Sequence, residues 1–156
     1  MINIRQAKEK DIPSILNLLA QILEIHAVIR PDLFISGTRK YTEEELGEIL
    51  KDQNRPVFVA EENNEVLGYT FCILQQTEHS NMKRESKTLY IDDLCVDEKN
   101  RGKHIGRMLT DYVIAFAREM GCYDITLNVW EGNEPALSFY RQNGFSVRKT
   151  MMERIL

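Results

Sequence analysis

The stretch from Tyr90 to Leu109 constrains the fold of this chain more than any other part of the sequence. Its first residues, through Val96, are mostly apolar and favour a β-strand. A charged turn from Asp97 to Gly102 follows, and the apolar residues after His104 recur at the spacing of an amphipathic helix. A strand that leads through such a turn into a helix directs free backbone N–H groups to one point, where the helix dipole adds partial positive charge. The stretch therefore predicts a phosphate-binding site.

Length, charge and cysteine spacing limit the remaining possibilities. The 156 residues predict a single domain, residues 1–156, and the net charge of -4 gives no reason to expect nucleic acid or an anionic membrane as a partner. We find no apolar run of about 18 residues and no signal peptide, so we expect a cytoplasmic protein. The three cysteines and three histidines are scattered, without metal-ligand or disulfide spacing. Reduced thiols and the absence of a metal are therefore predicted.

The hydrophobic pattern elsewhere predicts alternating strands and helices, with a hairpin turn at Asn63–Asn64. The predicted elements, in chain order, are a strand at Ile2–Arg5, a helix from Asp11 to Arg30, a helix from Thr42 to Lys51, strands at Val57–Glu61 and Val66–Gln75, the central strand and its helix to Met120, a strand at Asp124–Val129, a helix from Glu134 to Asn143, and a last strand or strand pair at Phe145–Ile155. This order predicts an α/β fold with a mixed sheet, in which the long helix connects two parallel strands. Ligands bind such sheets at the carboxyl ends of strands where the layout splits, here Val96 and Val129.

Two motifs carry a resemblance to a known family. Residues 96–109, VDEKNRGKHIGRML, resemble the pyrophosphate loop of the GNAT superfamily of acetyl-CoA-dependent N-acetyltransferases, usually Arg/Gln-x-x-Gly-x-Gly/Ala. Residues 127–145, LNVWEGNEPALSFYRQNGF, resemble the family's strand–Asn–Ala–Tyr–Gly–Phe segment. The resemblance covers nearly all of the chain in the order of its elements. It implies an α+β arrangement, a central twisted mixed sheet of about six to seven strands flanked by four helices.

The resemblance also implies a reaction, the transfer of an acetyl group from acetyl-CoA to an amine of a small molecule, peptide or protein by direct attack in a ternary complex. Acetyl-CoA is then a co-substrate, and no metal is needed. The residues implied to bind it are Leu94, Cys95, Val96, Arg101, Gly102, Lys103, His104, Ile105, Gly106, Arg107, Asn133, Ala136 and Tyr140. The side chains of Arg101, Lys103 and Arg107 could equally be plain surface charge, and Asn133 could be a helix N-cap, a CoA contact or both.

His104 departs from the family pattern, which has glycine at this position. One interpretation is that the residue already has helical dihedrals and its imidazole points to solvent. The other is that the imidazole adds a hydrogen-bond donor to the pyrophosphate.

The implied catalytic residues are Tyr140, as the general acid that protonates the departing thiolate, and Asp92, as a base or amine anchor that acts through a water. Asp92 could instead be a cap or salt-bridge partner, and Tyr140 could be a core aromatic residue. Since successive side chains of a strand point to opposite faces, at most one of Asp92 and Asp93 should enter the cleft. Backbone N–H groups of residues 94–96 would stabilise the oxyanion, and a β-bulge is expected nearby. Nothing near Cys95 in the sequence supplies a base, which argues against a cysteine nucleophile.

The acceptor pocket is predicted from the first two helices, the loop between them and the end of the fifth strand. The residues proposed to bind the acceptor are Glu24, His26, Phe34 and Asn128, although each alone is also typical of a solvated surface. The alternative functions are transfer of a longer acyl group and a non-catalytic CoA-binding sensor or interaction module. Because the terminal strand could pair at a sheet edge, a homodimer is an open expectation.

Overall fold

Helices cover both faces of a five-stranded mixed sheet in the computed structural model, which describes residues 1–156. The strands are β1 (Asn3–Gln6), β2 (Val57–Glu62), β3 (Glu65–Thr77), β4 (Ser86–Val96) and β5 (Asp124–Leu127). The helices are α1 (Ile12–Ile29), α2 (Glu43–Lys51), α3 (Ile105–Glu119) and α4 (Glu134–Gln142), with short 3-10 helices at Glu9–Asp11 and Glu98–Asn100.

The strands lie in chain order across the sheet, β1-β2-β3-β4-β5. The first four are antiparallel to their neighbours, and β4 and β5 are parallel, as the sequence predicted. Asn63 and Asn64, with φ of 53° and 64°, form the tight turn between β2 and β3. The α/β class, the mixed sheet and the four helices are confirmed.

The last predicted strand is absent, so the sheet has five strands rather than six or seven. Residues 146–156 have no regular secondary structure, and their backbone takes part in no backbone–backbone hydrogen bond. Side chains hold this tail instead: Arg148 lies 3.5 Å from Asp124, and Glu153 pairs with Arg30. A strand requires a hydrogen-bonded ladder with a neighbour, and the tail has none within this chain.

Helix α1 supplies much of the core on one face of the sheet. Its buried residues include Ile15, Leu18 and Leu19, which pack with α2 and with Val59, Tyr69 and Phe71 of the sheet. The stretch Glu9–Ile29 is long and apolar enough to cross a membrane by length and composition, contrary to the expectation from the sequence. A core helix satisfies the same criterion, and the packing of α1 against the sheet accounts for its hydrophobicity.

Helix α3 covers the opposite face, where Val113 and Ala117 pack on Leu89 and Ile91 of β4. Farther along β4 the alternation of the strand reverses. Cys95 belongs to the core beneath α1, on the face opposite to Leu89 and Ile91, although all three have odd numbers. A β-bulge between Ile91 and Asp93 causes this reversal, and it lies at the candidate site.

Candidate active site

The parallel strands β4 and β5 separate after their last pair, Ile91 with Leu127, while β4 continues to Val96. Asp97 N–H donates to Leu67 O of β3 at 2.8 Å. By the alternation of an antiparallel ladder, Cys95 N–H also points towards β3, whereas the N–H groups of Leu94 and Val96 point to the side that β5 has left. Two of the three predicted oxyanion donors therefore face the opening.

The loop after β4 ends in a helix N-terminus without a side-chain cap. Gly102 and His104 both have left-handed backbone conformations, with φ of 85° and 62°, and α3 begins at Ile105. The first turn of α3 contains no acidic residue. The N–H groups of Ile105, Gly106 and Arg107 have no partner within the helix, as is general for a first turn. The loop therefore fits an anionic phosphate group.

The basic side chains around this loop are exposed. Lys103 Nζ donates to Asn100 Oδ1 at 2.9 Å, and Arg107 Nε lies 3.8 Å from Asp111. Arg101 lines a surface pocket with Gln21 and Glu24. All three cations lie beside the helix N-terminus, where they add positive potential whether or not they contact the phosphate.

His104 is exposed, and its backbone conformation differs from the first interpretation of the sequence. The residue is left-handed rather than helical, so this position does impose the geometry for which the family uses glycine. Histidine adopts the left-handed region more readily than most residues but at a cost of about 1 kcal/mol. Its side chain makes no capping hydrogen bond with α3.

Helix α4 carries Tyr140, whose ring packs against Phe139 and Phe145 with centroids 5.1 and 5.5 Å apart. Asn133 is the N-cap of α4, and its Oδ1 accepts from Ala136 N–H at 3.3 Å, so this N–H is already paired. Phe139 lies against Gly106, where an added Cβ would come within 3.2 Å of the ring, and this close contact holds α4 on α3. Burial raises the pKa of Tyr140 above its usual value, so the phenol is protonated at neutral pH. Its hydroxyl is not sealed from solvent and has no hydrogen-bond partner.

Asp92 is the residue that the bulge inserts into β4. Phe71 pairs with Asp93 and Cys72 with Ile91, which leaves Asp92 without a partner on β3. Its carboxylate accepts from Tyr41 Oη at 2.7 Å and from Lys40 Nζ at 2.9 Å. Because it follows the last β4–β5 pair, Asp92 lies at the start of the opening. Asp92 therefore forms a salt bridge, which was the alternative role considered for it from the sequence. Its position at the opening is also compatible with a role as base or amine anchor.

Asp93 lies on the same side of the sheet as Asp92, contrary to the expectation from strand alternation. Its Oδ2 accepts from the buried Tyr69 hydroxyl at 2.8 Å. The two carboxylates share a side because the bulge interrupts the alternation between them. Burial raises the pKa of Asp93 to about 6, although the Tyr69 hydrogen bond opposes this rise.

Aromatic side chains join α1 to the loop after β5. His26 stacks on Phe34 with ring centroids 5.2 Å apart, and Phe34 meets Trp130 edge-on at 5.3 Å. Partial burial lowers the pKa of His26, and the Lys40 charge lowers it further, so His26 is neutral at pH 7. These three rings form one aromatic wall between α1 and the loop after β5.

The other two predicted acceptor residues have structural partners. The Glu24 carboxylate accepts from Gly37 N–H at 2.6 Å and from the Ser36 hydroxyl at 2.7 Å. These hydrogen bonds fix the loop between α1 and α2, and they lower the pKa of Glu24. Asn128 Nδ2 donates to the Tyr90 hydroxyl at 2.9 Å. Both side chains are exposed, and neither belongs to the aromatic wall.

Cys95 does not have the surroundings of a nucleophile. Its Sγ is buried and donates weakly to Leu18 O at 3.6 Å, and burial raises the pKa of the thiol to about 12. Reactive cysteines require the opposite shift. No group of three or more His, Cys, Asp or Glu side chains could hold a metal ion.

Sequence reasoning missed Lys40 as a partner of the candidate base. Lys40 and Tyr41 contact Asp92 across 52 and 51 residues of sequence. The available signal was a cluster of basic and aromatic residues, Arg39-Lys40-Tyr41, at the end of the loop already assigned to the acceptor pocket. No local pattern connects that cluster to β4.

A parallel pair that opens beside an uncapped helix, with a carboxylate at the opening, is typical of acyl-CoA-dependent acetyltransferases. The model of the acetyltransferase (GNAT) family matches residues 19–145. The chain belongs to this family and is an N-acetyltransferase. The family generally uses acetyl-CoA as its co-substrate, and the phosphate-binding loop described above fits such a ligand.

Relatives from several organisms agree with this assignment. The uncharacterized N-acetyltransferase YhfO of Bacillus subtilis is 31% identical over 145 residues, covering 92% of this chain and 89% of the relative. The thialysine N-epsilon-acetyltransferase of Bos taurus is 27% identical over 153 residues, covering 92% and 83%. The crystal structure of a mutant BH1408 protein from Bacillus halodurans has a TM-score of 0.94 at 30% identity, and 99% of each chain is covered.

Proposed function

We propose that this enzyme transfers acetyl from acetyl-CoA directly to a primary amine, with Asp92 as base or anchor and Tyr140 as general acid. The observation that carries the proposal is the position of Asp92, which the bulge places at the point where β4 and β5 separate. The acceptor is an alkyl amine of a small molecule or of a peptide, and transfer of a longer acyl group is the alternative. The bovine relative, a thialysine N-epsilon-acetyltransferase, makes a lysine-like amine the first to test.

Acetyl-CoA is expected to bind through its pyrophosphate at the loop 101–107. Charge-assisted hydrogen bonds contribute about 1.5–3 kcal/mol each, whereas the helix dipole contributes only about 0.3–1 kcal/mol. The unpaired N–H groups of Ile105, Gly106 and Arg107 should therefore dominate. Gly102 and His104 set the turn that directs these groups outwards, and Asn133 orders the start of α4.

The acceptor must lose a proton before it attacks. An alkyl ammonium with a pKa of about 10.4 is less than about 0.1% neutral near pH 7, a handicap of about 4–5 kcal/mol. In our proposal Asp92 anchors the ammonium and accepts its proton, directly or through a water. The N–H groups of Leu94 and Val96 then stabilise the oxyanion, a role in which one donor is worth about 2.7–4 kcal/mol.

Tyr140 then protonates the departing thiolate. An ordinary thiol has a pKa of about 8.5, well below that of a buried phenol. The transfer is therefore uphill, and in our proposal the close approach of the phenol to the departing sulfur offsets this difference.

The test compares wild type with Tyr140→Phe in two measurements, acetyl-CoA affinity by calorimetry and CoA-thiol release with a panel of lysine, thialysine, polyamines and lysine peptides. We expect turnover of at least one amine by wild type, a fall in kcat of at least tenfold in the variant, and nearly unchanged acetyl-CoA affinity. Tyr112→Phe is the matched control, because this exposed tyrosine lies on α3 away from the opening. Unchanged turnover in Tyr140→Phe would exclude the general-acid role.

We also propose that the protein forms a homodimer through its C-terminal tail. The outer edge of β5 has no strand beside it, and the tail exposes five large apolar side chains, Val147, Met151, Met152, Ile155 and Leu156. In a twofold-symmetric dimer, the apolar tail of each subunit can pair with the open β5 edge of the other subunit.

A further inference from the structure

Asp92 and its neighbours already form a binding site for an ammonium group. Lys40 Nζ lies 2.9 Å from Asp92 Oδ1, 3.4 Å from the Asp92 carbonyl oxygen and 5.7 Å from the centroid of the Tyr41 ring. A carboxylate, a carbonyl and an aromatic face are the three groups that recognise an alkyl ammonium.

The fixed part of this site belongs to the sheet and its packing. The Asp92 side chain is only 12% exposed, and its second oxygen is held by the Tyr41 hydroxyl at 2.7 Å. Arg55 donates to that hydroxyl at 3.0 Å, and the Tyr41 ring packs on Phe71 at 5.5 Å. The site therefore keeps its shape without the lysine.

The occupant, in contrast, comes from a loop. Lys40 lies between α1 and α2, and its side chain is 43% exposed. Salt bridges with this exposure contribute about 0–1 kcal/mol to stability. Lys40 thus presents a primary alkyl amine, on four flexible methylenes, to the carboxylate proposed as the catalytic base.

We propose that Lys40 is an acetylation site of this enzyme, modified by its own active site when no free amine occupies it. The inference rests on the proposed function of Asp92 and Tyr140. The Lys40 ammonium gives one proton to Asp92, and its nitrogen lone pair attacks the thioester carbonyl carbon of acetyl-CoA. A C–N bond forms, the C–S bond breaks, and the thiolate takes its proton from Tyr140. The second proton that leaves the nitrogen restores the Tyr140 phenol, and Asp92 releases the first to solvent. The products are Nε-acetyl-Lys40, CoA thiol and one released proton, so no further reactant is needed.

Acetylation removes the charge that pairs with Asp92. The neutral amide cannot form the ion pair or the cation–π contact with Tyr41. Acetyl-Lys40 therefore leaves the ammonium site free for an external amine.

The test incubates the full-length protein with isotopically labelled acetyl-CoA, without added amine, and maps labelled lysines by peptide mass spectrometry. Lys51 is the matched control, because it is 69% exposed and pairs only with Glu48 on α2. Non-enzymatic acetylation favours the more exposed lysine. We expect at least tenfold more label on Lys40 than on Lys51, at a first-order rate that does not depend on protein concentration.

Two variants separate this inference from the proposed function. Tyr140→Phe should lose the Lys40 label, while the Lys51 label stays constant. Lys40→Gln, which is neutral like acetyl-lysine, should lose the label, keep acetyl-CoA binding and still acetylate a free amine. Lys40 of the purified wild type can already carry an unlabelled acetyl group. This group supports self-acetylation only if Tyr140→Phe, purified in parallel, lacks it.

On protein whose Lys40 carries no acetyl group at the start, Lys40 label no greater than that of Lys51, together with turnover of an external amine, would overturn the inference and leave the proposed function intact. Lys40 label that persists in Tyr140→Phe would also overturn the inference. Binding of acetyl-CoA without acetylation of Lys40 or of any amine in the panel would overturn both.

Discussion

The replacement Asp93→Asn should stabilise the protein at neutral pH and do so less in acid. Asp93 is buried, and burial raises its pKa from about 3.8 to about 6. A carboxyl whose folded pKa is raised costs no stability well below its unfolded pKa, and the cost grows as the pH rises to its folded pKa. At about 1.4 kcal/mol per pKa unit, the cost is about 1 kcal/mol at pH 4.5 and about 3 kcal/mol at pH 7.5. Asparagine cannot ionise, and its Oδ1 can still accept from Tyr69.

The assay is urea unfolding of wild type and variant at several pH values between 4.5 and 7.5. We expect the difference in the free energy of unfolding to move in favour of the variant by about 2 kcal/mol across this range. Asp11→Asn is the matched control, since Asp11 is also buried. Burial raises the pKa of the Asp11 carboxyl, but the hydrogen bonds from Arg5, at 2.8 and 2.9 Å, and from Lys8 N–H, together with the nearby positive charges, lower it overall. Its variant should lose most stability at neutral pH and less as the pH falls. A pH-independent difference for Asp93→Asn would refute the reasoning.

Two further predictions concern backbone strain and association. His104→Gly removes a left-handed histidine and should raise the free energy of unfolding by up to about 0.5 kcal/mol, because the entropy of glycine in the unfolded chain offsets most of the strain that is relieved. Thermal unfolding measures this effect, and His104→Ala should show no gain in stability. A tenfold loss of acetyl-CoA affinity in His104→Gly would show that the imidazole is itself a ligand. Sedimentation velocity should find wild-type dimers that Met151→Lys combined with Ile155→Lys converts to monomers. A wild-type monomer at tens of micromolar would contradict pairing through the tail.

The sequence predicted the features that depend on neighbouring residues. The turn and helix after β4, the asparagine turn at Asn63–Asn64 and the capping role of Asn133 each follow from residues within a few positions of one another. Local backbone preferences and hydrophobic spacing act over the same range, so one chain suffices to read them. The parallel arrangement of β4 and β5 followed from the helix between them.

The features that sequence reasoning missed depend on distant partners. The tail has a strand-like composition, yet a strand forms only where another backbone offers a ladder. The contact of Lys40 with Asp92 joins residues 52 positions apart, and no periodicity encodes it. For the same reason, the shared side of Asp92 and Asp93 could not be read from β4 alone, because the bulge is a property of the β3–β4 pair.

The bulge makes Asp92 one extra residue in β4, and this residue shifts the alternation of side chains between the two faces of the sheet by one position. With Asp92 removed, Leu89, Ile91, Leu94 and Val96 would fall on the α3 face, and Asp93 and Cys95 would fall on the α1 face by plain alternation. Each of these residues already faces that way in the structure. The strand would therefore be regular and its packing complete without this residue. Asp92 is thus an extra residue within β4 whose carboxylate makes its contacts outside the sheet, with Lys40 and Tyr41 of the loop between α1 and α2.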